Sequence, residues 1–141
     1  MCLLINPDQS QNKKDLDHWF GSRKKFAYVY KFLRKTTKLP GNLGQSIVYK
    51  SPYFEFFKWN FRKQKIFQVK RSYKVTEDEL DLGRICVGLH VCTSLKEAKR
   101  KKYPSDIIVK FKVLKKDIVA VDNSCREAFC RKLTFVKVLE D

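Results

Sequence analysis

Between residues 107 and 114 the chain alternates with a period of two. Ile107, Val109, Phe111 and Val113 fall on one parity; Ile108, Lys110, Lys112 and Leu114 fall on the other. Successive side chains of a strand point to opposite faces, so this pattern predicts a strand with an apolar inner face and a mixed, partly basic outer face. Residues 26–33 (FAYVYKFL) are rich in strand-forming types and predict another. Residues 118–121 and 133–139 predict two more. Residues 47–49 form a short strand candidate, and residues 66–69 and 72–75 an extended pair. Residues 36–46 contain Pro40, Gly41, Asn42 and Gly44 and predict a loop. Ser51-Pro52 predicts a turn or an extended step, because the residue before proline avoids the helical region.

Three positions carry a hydroxyl residue with glutamate three residues later, the pairing that satisfies two amides at a helix start. Thr76 with Glu79 predicts a single turn ending at Gly83. Ser94 with Glu97 predicts a helix to about Lys102, stopped by Tyr103-Pro104. Ser124 with Glu127 predicts a helix to about Arg131, with Cys125, Ala128 and Phe129 on one apolar face. Strands, short helices and strands in this order predict an α+β fold with a mainly antiparallel sheet and two or three short helices. Residues 1–141 are expected to form a single domain.

Charge changes the picture more than composition does. The chain has 31 Lys and Arg against 15 Asp and Glu, a net charge of +16. From His18 to Thr76 there are 15 basic residues and one acid, Glu55; the acidic tract at 77–81 then reverses the sign. A field of this sign attracts polyanions: nucleic acid, an acidic protein surface or an anionic membrane face. It excludes acidic calcium-buffer and acidic-tail readings. No stretch approaches the ~18 apolar residues of a membrane-spanning helix, and the first residues carry no secretory leader. The five cysteines follow no regular framework, which predicts free thiols in a reducing compartment.

Three groups of residues are candidates for chemistry. In residues 85–92, read as one strand, Cys86, Gly88, His90 and Cys92 share a face. His90 there is a candidate general base, and Cys86, His90 and Cys92 are ligand types for a metal. Strand spacing argues against the metal: at ~3.3 Å per residue, Cys86 and His90 sit ~13 Å apart. No compact CxxC pair accompanies them. Cys2 is a candidate amino-terminal nucleophile should Met1 be removed, with a small buried core residue as the plainer reading. The third group lies between residues 49 and 73, where aromatic and basic residues interleave. Aromatic rings offer stacking platforms for unpaired bases and cations hold phosphates, although aromatics also dominate small cores. No phosphate-binding glycine loop or established nucleic-acid-binding motif accompanies them.

From Gly88-Leu89-His90-Val91, the second half runs through the capped helix with Ala98 and the strand at 107–113. It continues with Lys116-Asp117-Ile118-Val119-Ala120-Val121, Arg131 and Phe135-Val136-Lys137-Val138. This order resembles a loose group of small uncharacterised domains in proteins of phages and large DNA viruses. The resemblance implies a compact α+β domain of viral type. The chain is more basic than that group, so the resemblance does not extend to a partner.

These readings converge on a basic, non-enzymatic, viral-type binding protein, without a cofactor, contacting nucleic acid or another polyanion. Arg23, Lys24, Lys25, Arg62, Lys63, Lys65, Lys70 and Arg71 are the expected phosphate contacts, with Tyr53 and Trp59 as stacking groups. Its expected location is intracellular, in host cytoplasm or nucleus, or in the virion. Two alternatives stand beside it: a virion structural or interaction protein, and an enzyme using Cys2 or the Cys86, His90 and Cys92 face.

Overall fold

A computed structural model of the chain describes residues 3–4, 9–21, 25–35, 49–50, 61, 64–68, 84–85, 89–104, 106–122 and 124–139. In chain order the elements are β1 (Leu3–Leu4), α1 (Gln9–Phe20), β2 (Phe26–Lys35), β3 (Tyr49–Lys50), β4 (Ile66–Gln68), β5 (Arg84–Ile85) and β6 (Leu89–Cys92). Then come α2 (Leu95–Lys101), β7 (Asp106–Leu114), a 3-10 turn (Lys115–Asp117), β8 (Ile118–Val121), β9 (Glu127–Cys130) and β10 (Lys132–Leu139). Every described strand pairing is antiparallel. The fold is α+β and dominated by its sheet. The main sheet runs in the order β4-β10-β7-β2-β6-β9-β8, with β3 added to β2, while β1 and β5 form a separate ribbon.

The backbone of the sheet is the long pair β2 and β7, in register from Phe26 opposite Leu114 to Arg34 opposite Asp106. One face of this pair is apolar. Val29, Leu33, Val109, Phe111 and Val113 are buried on it. So are Leu89 and Val91 of β6, Phe67 of β4 and Leu133 of β10. Phe61, Phe67, Phe111 and Phe135 meet here, mostly edge to face, an arrangement that adds to the value of their burial.

Helix α1 lies against this core through Leu16, Trp19 and Phe20. Their i, i+3, i+4 spacing is a helical stripe, and the helix has no counterpart in the sequence expectations. It stops at Gly21, whose φ of 83° is costly for a residue with a Cβ and whose amide returns to the Asp17 carbonyl.

Helix α2 covers part of the opposite face. Ser94 caps it as expected, its hydroxyl accepting from the Glu97 amide at 3.2 Å. Leu95 and Ala98 pack there with Phe32, Cys92 and Ile108.

Two expectations are corrected. Residues 124–131 do not form a helix; Glu127–Cys130 is β9, paired with both β6 and β8. Asp122 decides this. Its carboxylate accepts from the Ser124 hydroxyl at 2.8 Å and from the Arg126 and Glu127 amides at 2.8 and 3.3 Å. Those amides are thereby held in a hairpin turn, with Cys125 at φ 58°, and Ser124 is a turn residue instead of a cap. Nor do the described ends of the expected strand at 85–92 belong to one sheet: Ile85 pairs with Leu3 in the ribbon, whereas Leu89 pairs with Cys130 in the main sheet, and residues 86–88 lie outside the described residues.

The strands predicted at 26–33, 107–113, 118–121 and 133–139 are present. Residues 66–68 form a strand, but its described partner is β10. The expected loop at 36–46, the partner segment at 72–75 and the turn at Thr76 lie outside the described residues.

Candidate functional site

The face opposite the phenylalanine core carries two different surfaces. On β2, alternation sends Phe26, Tyr28, Tyr30, Phe32 and Arg34 to this side. On β7 it sends Ile108, Lys110, Lys112 and Leu114, each opposite its partner in the register above. Phe32 and Ile108 are buried under α2, but Phe26 and Tyr28 are 37% and 42% exposed. Their rings meet edge to face with centroids 5.4 Å apart. The Lys110 ammonium lies 4.0 Å from the Tyr28 centroid and the Lys112 ammonium 4.2 Å from that of Phe26. These are cation–π contacts at a wet surface, where each is worth ~0.5–1 kcal/mol.

The neighbouring strands extend this surface. β10 adds Lys132 and Thr134. A bulge between Phe135 and Lys137 then brings Lys137 directly opposite Lys110. Like charges directly opposite each other destabilise a sheet. The open region formed by these residues of β2, β7, β10 and β4 contains no described carboxylate. An anion bridging the lysines would remove the repulsion.

Under α2 the same face is electrically closed. Glu127 on β9 sits opposite Cys92 on β6, and its carboxylate meets His90 Nε2 at 3.3 Å and the Lys101 ammonium of α2. Glu97 holds Arg100 at 2.5 Å and faces Lys101 at 3.8 Å. Asp106 holds Arg34 at 3.2 Å. Burial works to raise the Glu127 pKa, but hydrogen bonds from His90 and Lys101 outweigh it and bring the carboxyl down from the ordinary 4.5 to about 2. The Arg100 hydrogen bond lowers the Glu97 pKa as well. Burial, with Glu127 close by, pushes the Cys92 thiol up from 9.0 to about 12. Cys92 is therefore a protonated, weakly nucleophilic thiol at neutral pH. His90 is 3% exposed, and the buried Lys31 donates to its backbone carbonyl at 2.6 Å. This set of groups locks α2 to β6 and β9. Among the described residues no group of three or more His, Cys, Asp or Glu is gathered to hold a metal.

The residues expected at the site divide sharply. Lys25 is exposed at the entry to β2, at the rim of the open region. Lys65 is exposed just before β4, its ammonium 4.6 Å from the Phe135 ring centroid. Within the aromatic and basic stretch, Phe61 and Phe67 are core residues. Arg23, Lys24, Tyr53, Trp59, Arg62, Lys63, Lys70 and Arg71 lie outside the described residues, as do Cys2 and Cys86. The structure adds Phe26, Tyr28, Lys110 and Lys112, and the odd–even alternation of β7 was the available signal for the two lysines.

No described helix is long and apolar enough to cross a membrane. No known family model, curated protein or solved structure matches this chain.

Proposed function

We propose that this protein binds single-stranded nucleic acid on the open half of its sheet. The observation that carries the reading is the coincidence of exposed rings and lysines on a surface without described carboxylates, with Lys110 and Lys137 directly opposed. Phosphates would draw the Lys110 and Lys112 ammonium groups off the rings, and the uncovered rings would stack on unpaired bases. Lys25, Lys132 and Lys137 surround that surface, and the net charge of +16 steers a polyanion towards it.

The test is fluorescence anisotropy of a labelled oligothymidylate across salt concentrations. If four phosphates are neutralised, affinity falls about 50-fold between 50 and 200 mM salt, from a slope of about −0.7 per phosphate. An affinity that does not change with salt overturns the reading. Equal binding of polyglutamate at matched charge would replace it with a general acidic-surface receptor.

A further inference from the structure

The edge of β2 holds a groove that the open sheet face does not explain. On the side away from β7, β6 reaches β2 only at Tyr30, opposite Cys92. The chain then turns off. The Thr93 hydroxyl donates to the Cys125 carbonyl at 2.6 Å, and the Thr93 amide to the Arg126 carbonyl at 2.9 Å. Both bonds draw the turn towards the β8–β9 hairpin and away from β2. The first half of β2 thus has no described strand on that side. A groove of about 590 Å³ remains, lined by Trp19, Lys25, residues 26–28 and 30 of β2, and residues 93–95. That volume lies within the ~300–1,000 Å³ of small-ligand sites.

We infer that this groove takes one nucleotide unit of the bound strand, with its base among the rings of Trp19, Tyr28 and Tyr30 and its phosphate at Lys25. The inference rests on the nucleic-acid reading above and deepens it. Three observations point to this chemistry. The lining is aromatic, which suits a flat π-system. Among its described lining residues Lys25 is the cation and none is a carboxylate, which matches an anionic group. Ser94 Oγ accepts from the Glu97 amide, which leaves its proton to donate to a base edge. A strand is favoured over a free nucleotide by continuity. Phe26 and Tyr28 belong both to the groove and to the open face, so a chain leaving the groove passes directly onto the lysines of β7.

The experiment is fluorine NMR of protein carrying 5-fluorotryptophan. The two tryptophans, Trp19 and Trp59, give separate signals, assigned with Trp59→Phe. An eight-residue oligothymidylate, an abasic oligomer of equal charge and free thymidine monophosphate are added in turn, with anisotropy competition measured in parallel. The oligothymidylate is expected to shift the Trp19 signal. The abasic oligomer should bind at least about fivefold more weakly, from the ~1–3 kcal/mol per stacked base, and leave Trp19 unmoved. If the oligothymidylate binds without moving Trp19, the groove assignment falls and the sheet-face reading stands. If neither oligomer binds, the sheet-face reading itself falls. A Trp19 shift with the monophosphate at lower concentration than with the oligomer overturns the strand and makes this a free-nucleotide site.

Discussion

The two halves of one sheet face carry their charge in opposite ways. Beneath α2, the buried carboxylates of Glu97, Glu127 and Asp106 are each met by described cations. A few residues along the same strands, Lys110 and Lys112 rest on aromatic rings, and Lys110 faces Lys137. The first arrangement needs no partner, since its charges cancel inside the fold. The second keeps a residual positive field at the surface. Both halves use residues of one parity on β2 and β7, so secondary structure does not separate them. What separates them is the placement of carboxylates, and that is where binding and stability should come apart.

Substitutions can break or sharpen this division. The largest effect belongs to neither half. Phe111 is fully buried among Phe61, Phe67 and Phe135, and Phe111→Ala should cost about 3–5 kcal/mol in chemical denaturation. Glu127→Gln strikes the closed half alone. It leaves Lys101 and His90 without their carboxylate and should cost about 3 kcal/mol of stability, with oligonucleotide affinity in the folded protein unchanged. A comparable loss of affinity would show that the halves are coupled.

Acid probes the same group without mutation. The folded pKa of Glu127 is about 2 against the ordinary 4.5, so its stabilising contribution is complete above about 4.5, declines as pH falls and is gone below about 2. The lowered Glu97 pKa acts in the same direction. Denaturation midpoints of wild type should fall through this window more steeply than those of Glu127→Gln.

The open half should respond in the reverse sense. Tyr28→Ala should weaken oligothymidylate binding by about 1–3 kcal/mol in anisotropy titrations, with a smaller change in stability. Replacing Lys112 by Ala is the mildest test. It should leave the melting temperature nearly unchanged and reduce the magnitude of the salt slope by about 0.7. A stability loss as large as that of Glu127→Gln would show that this lysine belongs to the framework.

Much of this division could be read along the chain, and its limits were physical. The alternation in residues 107–113 located β7 and placed Lys110 and Lys112 outward, because a half-covered strand keeps polar residues on one parity. Ser94 marked α2 correctly, since its hydroxyl has no nearer competitor for the Glu97 amide. Ser124 misled because Asp122, two residues earlier, captures the Arg126 and Glu127 amides with its own carboxylate. Residues 26–33 read as a strand but not as two faces: all four rings fall on even positions, yet Ala27, Val29 and Leu33 make the odd positions apolar too, so hydropathy alone does not mark the exposed face. The meeting of β2 with β7, across more than seventy residues, left no local trace. Nor did the Glu127 ion pairs, which join β9 to β6 and α2 earlier in the chain.

The bulge in β10 has a consequence of its own. Phe135 faces Phe111, and without an irregularity Lys137 would come opposite Val109, turned towards the phenylalanines. Val136 is the one surplus residue, and by absorbing it the strand resets its odd–even phase so that lysine lands beside lysine. Removing Val136 would straighten β10 and leave Lys137 where it is, whereas ironing the bulge flat at full length would turn Lys137 to the other face, opposite Val109. One misfit residue thus guards the sidedness of the whole strand end.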